Sequence, residues 1–189
     1  MRIIAGEWRG RRLLVPPDIR PMLERERVRL FGILGDRVEG AAVLDLFAGS
    51  GAIGLEALSR GARLCTAVEN GHRVLPALRQ NVDSLGAAGR YRLLPISAFG
   101  LPKSGEPGRG TVDIAVCAPP FPLLEDLAMR PRFHILFGYI ARDLLAPGGV
   151  FVLEHPADLD PGQASGLGPS PDTRRTASSA LSLWRPASG

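Results

Sequence analysis

From about residue 41 onward, short apolar runs alternate with stretches whose apolar residues recur at every third and fourth position. That alternation of period two and period 3.6 predicts strands and helices in turn. The apolar run 42–44 reads as a strand ending at Asp45, and 52–60 as a helix turning Ile53, Leu55 and Leu58 inward, with Gly61 as its stop. A second strand over 63–69 also ends on an acid, Glu69, and leads into a helix carrying Val74, Leu75, Leu78, Val82 and Leu85. Positions 91–96 predict a third strand, shortened by Pro95. After a loop over 100–110 come a fourth strand at 112–117, a helix at 133–145 and a fifth strand at 149–154. Residues 156–175, rich in Pro, Gly, Ser and Asp, read as a mobile loop, and 177–184 as a closing antiparallel strand. Strands alternating with helices imply an α/β fold with a parallel sheet covered on both faces.

The first forty residues follow a different rhythm. Two extended runs, Arg2-Ile3-Ile4 and Leu13-Leu14-Val15, flank Trp8-Arg9-Gly10-Arg11, which predicts a hairpin turning at Gly10. Pro16-Pro17 ends it, and Pro21 opens a helix that packs Leu23, Leu30, Phe31 and Leu34 and carries Arg25, Arg27 and Arg29.

Composition narrows the class of protein. A chain of 189 residues with 45% hydrophobic and 22% charged residues has the make-up of one globular domain, with no room for a separate substrate domain. No apolar run nears the roughly 20 residues a membrane span requires, and no signal-peptide core forms after Met1, so a cytoplasmic protein is expected. Cys65 and Cys117 sit in strand-like stretches as small buried thiols; no metal site or disulfide framework is suggested. The net charge is only +4, but Lys103 is the only lysine among 23 basic residues. Eight arginines, at 2, 9, 11, 12, 20, 25, 27 and 29, face four acids in the first thirty residues. Such an arm attracts a phosphate backbone, the alternative being a solvated helix face.

Candidate chemistry gathers where strands end, since ligands of open parallel sheets bind beyond the strands' carboxyl ends, where strand order reverses. Asp45 is followed by Leu46-Phe47-Ala48-Gly49-Ser50-Gly51-Ala52-Ile53-Gly54, whose glycines let a ligand approach the backbone at a helix N-terminus. The spacing also matches the dinucleotide fingerprint G-x-G-x-x-G. A carboxylate four residues before the first glycine would oppose a pyrophosphate; it suits the ammonium and sulfonium of S-adenosylmethionine. Glu69 is placed to accept ribose hydroxyls. Asp45 could alternatively cap the turn, and Glu69 could be a solvated strand-end acid. After the fourth strand, Ala118-Pro119-Pro120-Phe121 forms a rigid turn followed by a ring that either stacks on a base or packs in the core. Trp8 either stacks on RNA or bridges hairpin and domain. His72, His134 and His155 lack partners at metal or triad spacing.

The segments Arg2-Ile3-Ile4-Ala5-Gly6, Gly10-Arg11, Val15-Pro16, Arg20-Pro21 and Leu30-Phe31, then DLFAGSGAIGLEALSRGA from Asp45 to Ala62, together resemble the RsmD-type bacterial small-subunit ribosomal RNA guanine-N2 methyltransferases. Glu69, the VDIAV strand into Pro119-Pro120-Phe121, Glu154-His155-Pro156 and the final Ala180-Leu181-Ser182-Leu183 continue the likeness. The resemblance implies a Rossmann-like, doubly wound, mostly parallel seven-stranded sheet with an antiparallel last strand. Residues 1–35 would then be an RNA-binding hairpin and helix, and 36–189 the methyltransferase domain. It further implies that Asp45, Phe47, Ala48, Gly49, Ser50, Gly51, Glu69, Asn70, Ser97 and Ala98 hold S-adenosylmethionine. Ala118, Pro119, Pro120 and Phe121 would take a flipped-out guanine, and Arg9, Arg11, Arg12, Arg20, Arg25 and Arg27 the RNA. Ribosomal RNA or the small subunit is the expected partner of a monomer, with no metal and no membrane.

Two positions depart from the family pattern. Family members carry Asp or Asn where this chain has Ala118, and an acid after the third strand where it has Ser97-Ala98. The first departure leaves three readings: an active enzyme, an impaired member that keeps cofactor or RNA binding, and a methyltransferase for another amine-bearing nucleic acid.

Overall fold

The computed structural model describes residues 1–17, 19, 21–168 and 172–185, so Arg20 among the expected RNA contacts lies outside the described residues. Two compact units divide the chain, 1–97 and 98–189. In the first unit the strand Leu64–Val68 pairs in parallel with Ala42–Leu46 on one side and Tyr91–Leu94 on the other; in the second, Val112–Cys117 pairs in parallel with Leu145–Pro156, to which Ser179–Trp184 and then Asp172–Arg175 add antiparallel.

In the first unit, α1 (Glu24–Leu34) precedes β1 (Ala42–Leu46), α2 (Ala52–Ser59), β2 (Leu64–Val68), α3 (Leu75–Ser84) and β3 (Tyr91–Leu94). Every residue of β1 is buried, as expected of a strand with neighbours on its edge and helices on its faces. All eight residues of α2 are buried as well, and Gly54 makes that possible. A Cβ at Gly54 would lie 2.4 Å from Cys65 Sγ, so only glycine lets the helix settle this close to β2.

The hairpin forms, though as a single antiparallel bridge, Arg2 to Arg12, in place of two full strands. Ile3 N–H donates to Arg11 O and Gly10 N–H to Ile3 O, both at 2.9 Å, while Gly10 takes φ +83 at the turn. Ile3, Trp8 and Leu13 are its buried anchors. The helix expected from Pro21 starts at Glu24, because Leu23 is extended and 44% exposed; Leu30, Phe31 and Leu34 pack as expected.

In the second unit the expected loop at 100–110 contains a helical turn and α4 (Leu101–Ser104). β4 (Val112–Cys117) leads through the Pro-Pro turn into α5 (Phe121–Glu125), then α6 (Arg130–Tyr139), which continues as a π-helical turn over Ile140–Leu144. β5 (Leu145–Pro156), α7 (Pro161–Ser165), β6 (Asp172–Arg175) and β7 (Ser179–Trp184) complete it. The stretch expected to be a mobile loop is therefore partly ordered as α7 and β6. Thr173 of β6 pairs with Ser182 of β7, and the arginines at 174 and 175 are the kind of charged side chains that blunt an outermost strand. A line of rings, from the half-buried Phe99 through the buried Phe133, Phe137, Phe151 and Trp184, with successive centroids 5.0, 5.2, 5.0 and 5.7 Å apart, runs through this unit. Each such pair is worth about 0.5–1.5 kcal/mol beyond its area. Among the described residues no helix is long and apolar enough to cross a membrane.

Candidate functional site

The turn between β1 and α2 is held from below by two carboxylates. Asp45 has no exposed surface; its Oδ2 accepts the Gly54 N–H at 3.0 Å, in the first turn of α2, where a negative group is favoured. Its Oδ1 has no partner. Burial pushes the Asp45 carboxyl up to about 7, against the Gly54 hydrogen bond, and the Glu69 charge pushes the same way as burial. Asp45, expected from the sequence to partner the ligand's positive charge, lies beneath the turn with its side chain buried.

Glu69, just past β2, is half-buried and faces the turn. Its Oε2 accepts Gly49 N–H at 2.8 Å, and its Oε1 accepts Asn70 N–H at 2.9 Å and Gly71 N–H at 2.7 Å. One carboxylate therefore ties the glycine turn to the loop after β2, and Oε2 retains acceptor capacity. Asn70 is exposed beside it.

Backbone conformation sets the turn's shape. Phe47 has φ +59, and Gly49 and Gly51 have φ +56 and +80. For a phenylalanine this costs about 1–2 kcal/mol, the kind of local strain that surrounding structure must hold in place. At Gly51 a Cβ would also meet the buried Tyr91 hydroxyl at 2.9 Å. Ala48 N–H donates to Val68 O at 3.2 Å and Gly51 N–H to Ala48 O at 2.8 Å, so the turn is pinned at four amides, counting those of Gly49 and Gly54. Ser50 is buried, while Phe47 and Gly49 keep partial exposure.

The first unit also shows how the arginine arm is mounted. Arg9, Arg11, Arg12 and Arg25 are exposed, Arg11 donating to Ser84 O at 2.8 Å and Arg25 to Glu26 at 3.3 Å. Arg27, expected from the sequence among the RNA contacts, is 0% exposed and faces the interior of this unit. Its Nη2 donates to Arg2 O at 2.9 Å and its Nη1 lies 3.8 Å from Glu56 Oε2. Glu56, equally buried, also accepts Ile4 N–H at 2.7 Å, Ala5 N–H at 3.0 Å and Arg60 Nε at 2.7 Å. Trp8 is buried with Arg90 5.2 Å above its ring, so it bridges the hairpin to the rest of the unit and is not presented for stacking on RNA.

In the second unit, Ala118 is half-buried, Pro119 buried, Pro120 exposed, and Phe121 half-buried at the start of α5. Ala118 carries no side-chain acceptor. Ser97 ends the first unit half-buried, and the buried Ala98 opens the helical turn that begins the second.

Sequence reasoning missed the residues packed behind the turn: Asn81, Tyr91 and Cys65. Asn81 carried a signal, being a polar residue on the same face of α3 as Leu78 and Val82. Tyr91 and Cys65 read as ordinary strand residues and gave none.

The family model described as conserved hypothetical protein 95 matches residues 1–176. Ribosomal RNA small subunit methyltransferase D of Escherichia coli K12 is 43% identical over 124 residues, which is 64% of this chain and 60% of that protein. Among solved structures, a hypothetical protein of Thermus thermophilus is 35% identical with a TM-score of 0.77, over 97% of this chain and 98% of that one. The candidate methyltransferase yhhF of Escherichia coli is 29% identical with a TM-score of 0.78, over 100% and 99% of the two chains. By its sequence from the arginine arm through the sheet, and by these matches, the chain belongs to the conserved hypothetical protein 95 family, the RsmD-type family it resembles.

Proposed function

We propose that this protein transfers a methyl group from S-adenosylmethionine to the exocyclic N2 of a guanine in small-subunit ribosomal RNA. The observation that carries the reading is the strained turn at Phe47, Gly49 and Gly51, held over the buried Asp45 and beside Glu69. The acid at the end of the second strand suits a ribose in either a dinucleotide or S-adenosylmethionine; Asp45 beneath the turn is what disfavours a pyrophosphate and favours a cationic ligand, whose charge would draw it into its ionised form. Residues Phe47 to Gly51 would cradle the methionine part, Glu69 and Asn70 the ribose, and Ser97 and Ala98 the adenine. S-adenosylmethionine, when bound, supplies an electrophilic methyl on a positively charged sulfur.

The chain's own residues have three tasks. The exposed Arg9, Arg11, Arg12 and Arg25 attract phosphates, with residues 1–35 acting as an extension of a methyltransferase domain at 36–189. Phe121 offers a ring on which a flipped-out base can stack. The turn at Ala118 and Pro119 must orient the amine and accept from its N–H bonds through main-chain carbonyls, since Ala118 has nothing else to offer. Lack of one preorganised acceptor costs roughly a hundredfold to a thousandfold in rate. Ala118 accordingly favours a second reading, an impaired member of the family that retains cofactor or RNA binding. The reading places a monomer in the cytoplasm, where small subunits are assembled.

Labelled S-adenosylmethionine incubated with protein and small subunits lacking the modification should put label on a guanine N2. Label on no guanine, with cofactor bound, would select the impaired reading. Restoring the acid with Ala118→Asp should then raise turnover by about two to three orders of magnitude.

A further inference from the structure

We propose that Asn81 couples the basic arm to the glycine turn, so that a cofactor in the turn and RNA on the arm each tighten the other's binding; this rests on the functional reading of those two features given above. Asn81 lies in α3 and is 1% exposed. Its Oδ1 accepts the Leu14 N–H at 2.8 Å, and its Nδ2 donates to Leu14 O and to Ser50 O, both at 2.9 Å. Only this orientation of the amide gives Leu14 N–H an acceptor and both carbonyls a donor. Leu14 belongs to the arm, and Ser50 stands between the two glycines of the turn.

Two features argue that the clip is more than packing. The Leu14 side chain is 47% exposed, so burial of its own apolar surface contributes little to holding the arm at this point, and the polar clip does so instead. A buried amide at a core position of α3 is costly unless its bonds are made, so displacing Ser50 or Leu14 penalises the other through Asn81. Further contacts run the same way. Ser50 Oγ is 4.0 Å from Met1 Sδ, and a Cβ at Gly49 would be 3.4 Å from Ile19 Cδ1. Met1 thus approaches Ser50 directly, Leu14 is joined to it through Asn81, and Ile19 lies beside Gly49. A ligand that fixes Ser50 fixes Leu14, and by reciprocity of linked equilibria a ligand that fixes Leu14 favours the first. Asn81 is a positioning residue in this account and touches neither ligand.

The test uses the 189-residue chain and S-adenosylhomocysteine, which carries no methyl group to transfer and would occupy the turn without reacting. Amide hydrogen exchange across residues 1–17 is followed with and without it, alongside calorimetric titration. In the wild type, exchange at Leu14 and Leu13 should slow by about fivefold or more on binding. In Asn81→Ala, binding should persist, weakened by about tenfold, with arm exchange indifferent to the ligand. Asn81→Asp keeps an acceptor for Leu14 N–H but turns a carboxylate oxygen on Ser50 O. It should lose the response in the same way and serves if the alanine variant fails to fold. Binding to the wild type without any change in the arm would overturn the coupling and leave the cofactor reading standing. Absence of binding to the wild type would overturn both.

Discussion

Charging Asp45 in its sealed position opposes folding, and the pH dependence of that opposition is specific. Its native value of about 7 lies above the ordinary 3.8, so between those limits the native state holds a proton that the unfolded state releases. Stability from this group is therefore full below about pH 4, declines as pH rises, and is lost by about pH 7. The difference amounts to a few kcal/mol, at about 1.4 per unit. Asp45→Asn, which keeps an acceptor for Gly54 N–H, should raise the melting temperature at pH 8 and not at pH 4. An unchanged melting temperature at pH 8 would show that Asp45 is not held neutral. On the proposed function the same carboxyl should sense the cofactor: a cation above the turn favours its ionised form, so S-adenosylmethionine binding near pH 7 should release a proton. Calorimetry in two buffers of different ionisation heat detects that proton as a buffer-dependent enthalpy. His155 titrates with the opposite sign. It is fully buried between Pro156 O and Ser182 Oγ, and burial pulls its value below 6.5. The neutral ring is what the native state tolerates, so its contribution is complete above about 6.5 and lost as pH falls below that. His155→Gln should flatten the acid side of the stability profile below pH 6.5.

At the level of elements, α2 is both the floor of the glycine turn and the mount for the arm. Glu56 and Ser59, on its buried length, accept Ile4, Ala5, Glu7 and Trp8 amides between them. Glu56→Ala would strand the Arg27 guanidinium in the interior and leave two amides unpaired, at a cost of about 3–5 kcal/mol. Urea unfolding should show that loss, and limited proteolysis should cut the arm before the sheet. The strands β1, β2 and β4 and helix α2 were legible in the chain because burial on both faces leaves continuous apolar runs and glycine-bounded helical periods. β6 was not, since Asp172-Thr173-Arg174-Arg175 pairs through its backbone and carries no apolar alternation. The start of α1 was misplaced for a similar reason: Pro21 is compatible with a first helical turn, but the extended Leu23 delays it. Within the site, the turn itself was readable from its glycines and acids. The inward direction of Asp45 and Arg27 was not, because a charged residue in a sequence gives no sign of a buried partner tens of residues away.

The charge of the molecule as a whole supplies the sharpest test of the proposal that the arm's arginines meet nucleic acid. With a net charge of +4, long-range attraction is modest, and affinity must come from local contacts that displace counterions from phosphates. Each such contact adds about 0.7–0.9 to the slope of log affinity against log salt. Arg9 and Arg12 are exposed on the hairpin, whereas Arg27, only a few turns of chain away, is sealed against Glu56. Arg9→Gln and Arg12→Gln should each lower the slope for ribosomal RNA by about that amount and weaken binding without altering the melting temperature. Arg27→Met should lower the melting temperature and leave the slope unchanged under conditions where the protein remains folded. Fluorescence anisotropy across a salt series separates the two kinds of arginine directly. A slope that fell equally for all three would mean that the arm opens on RNA and releases Arg27 from Glu56, and the fixed mounting of the hairpin on α2 would have to be abandoned.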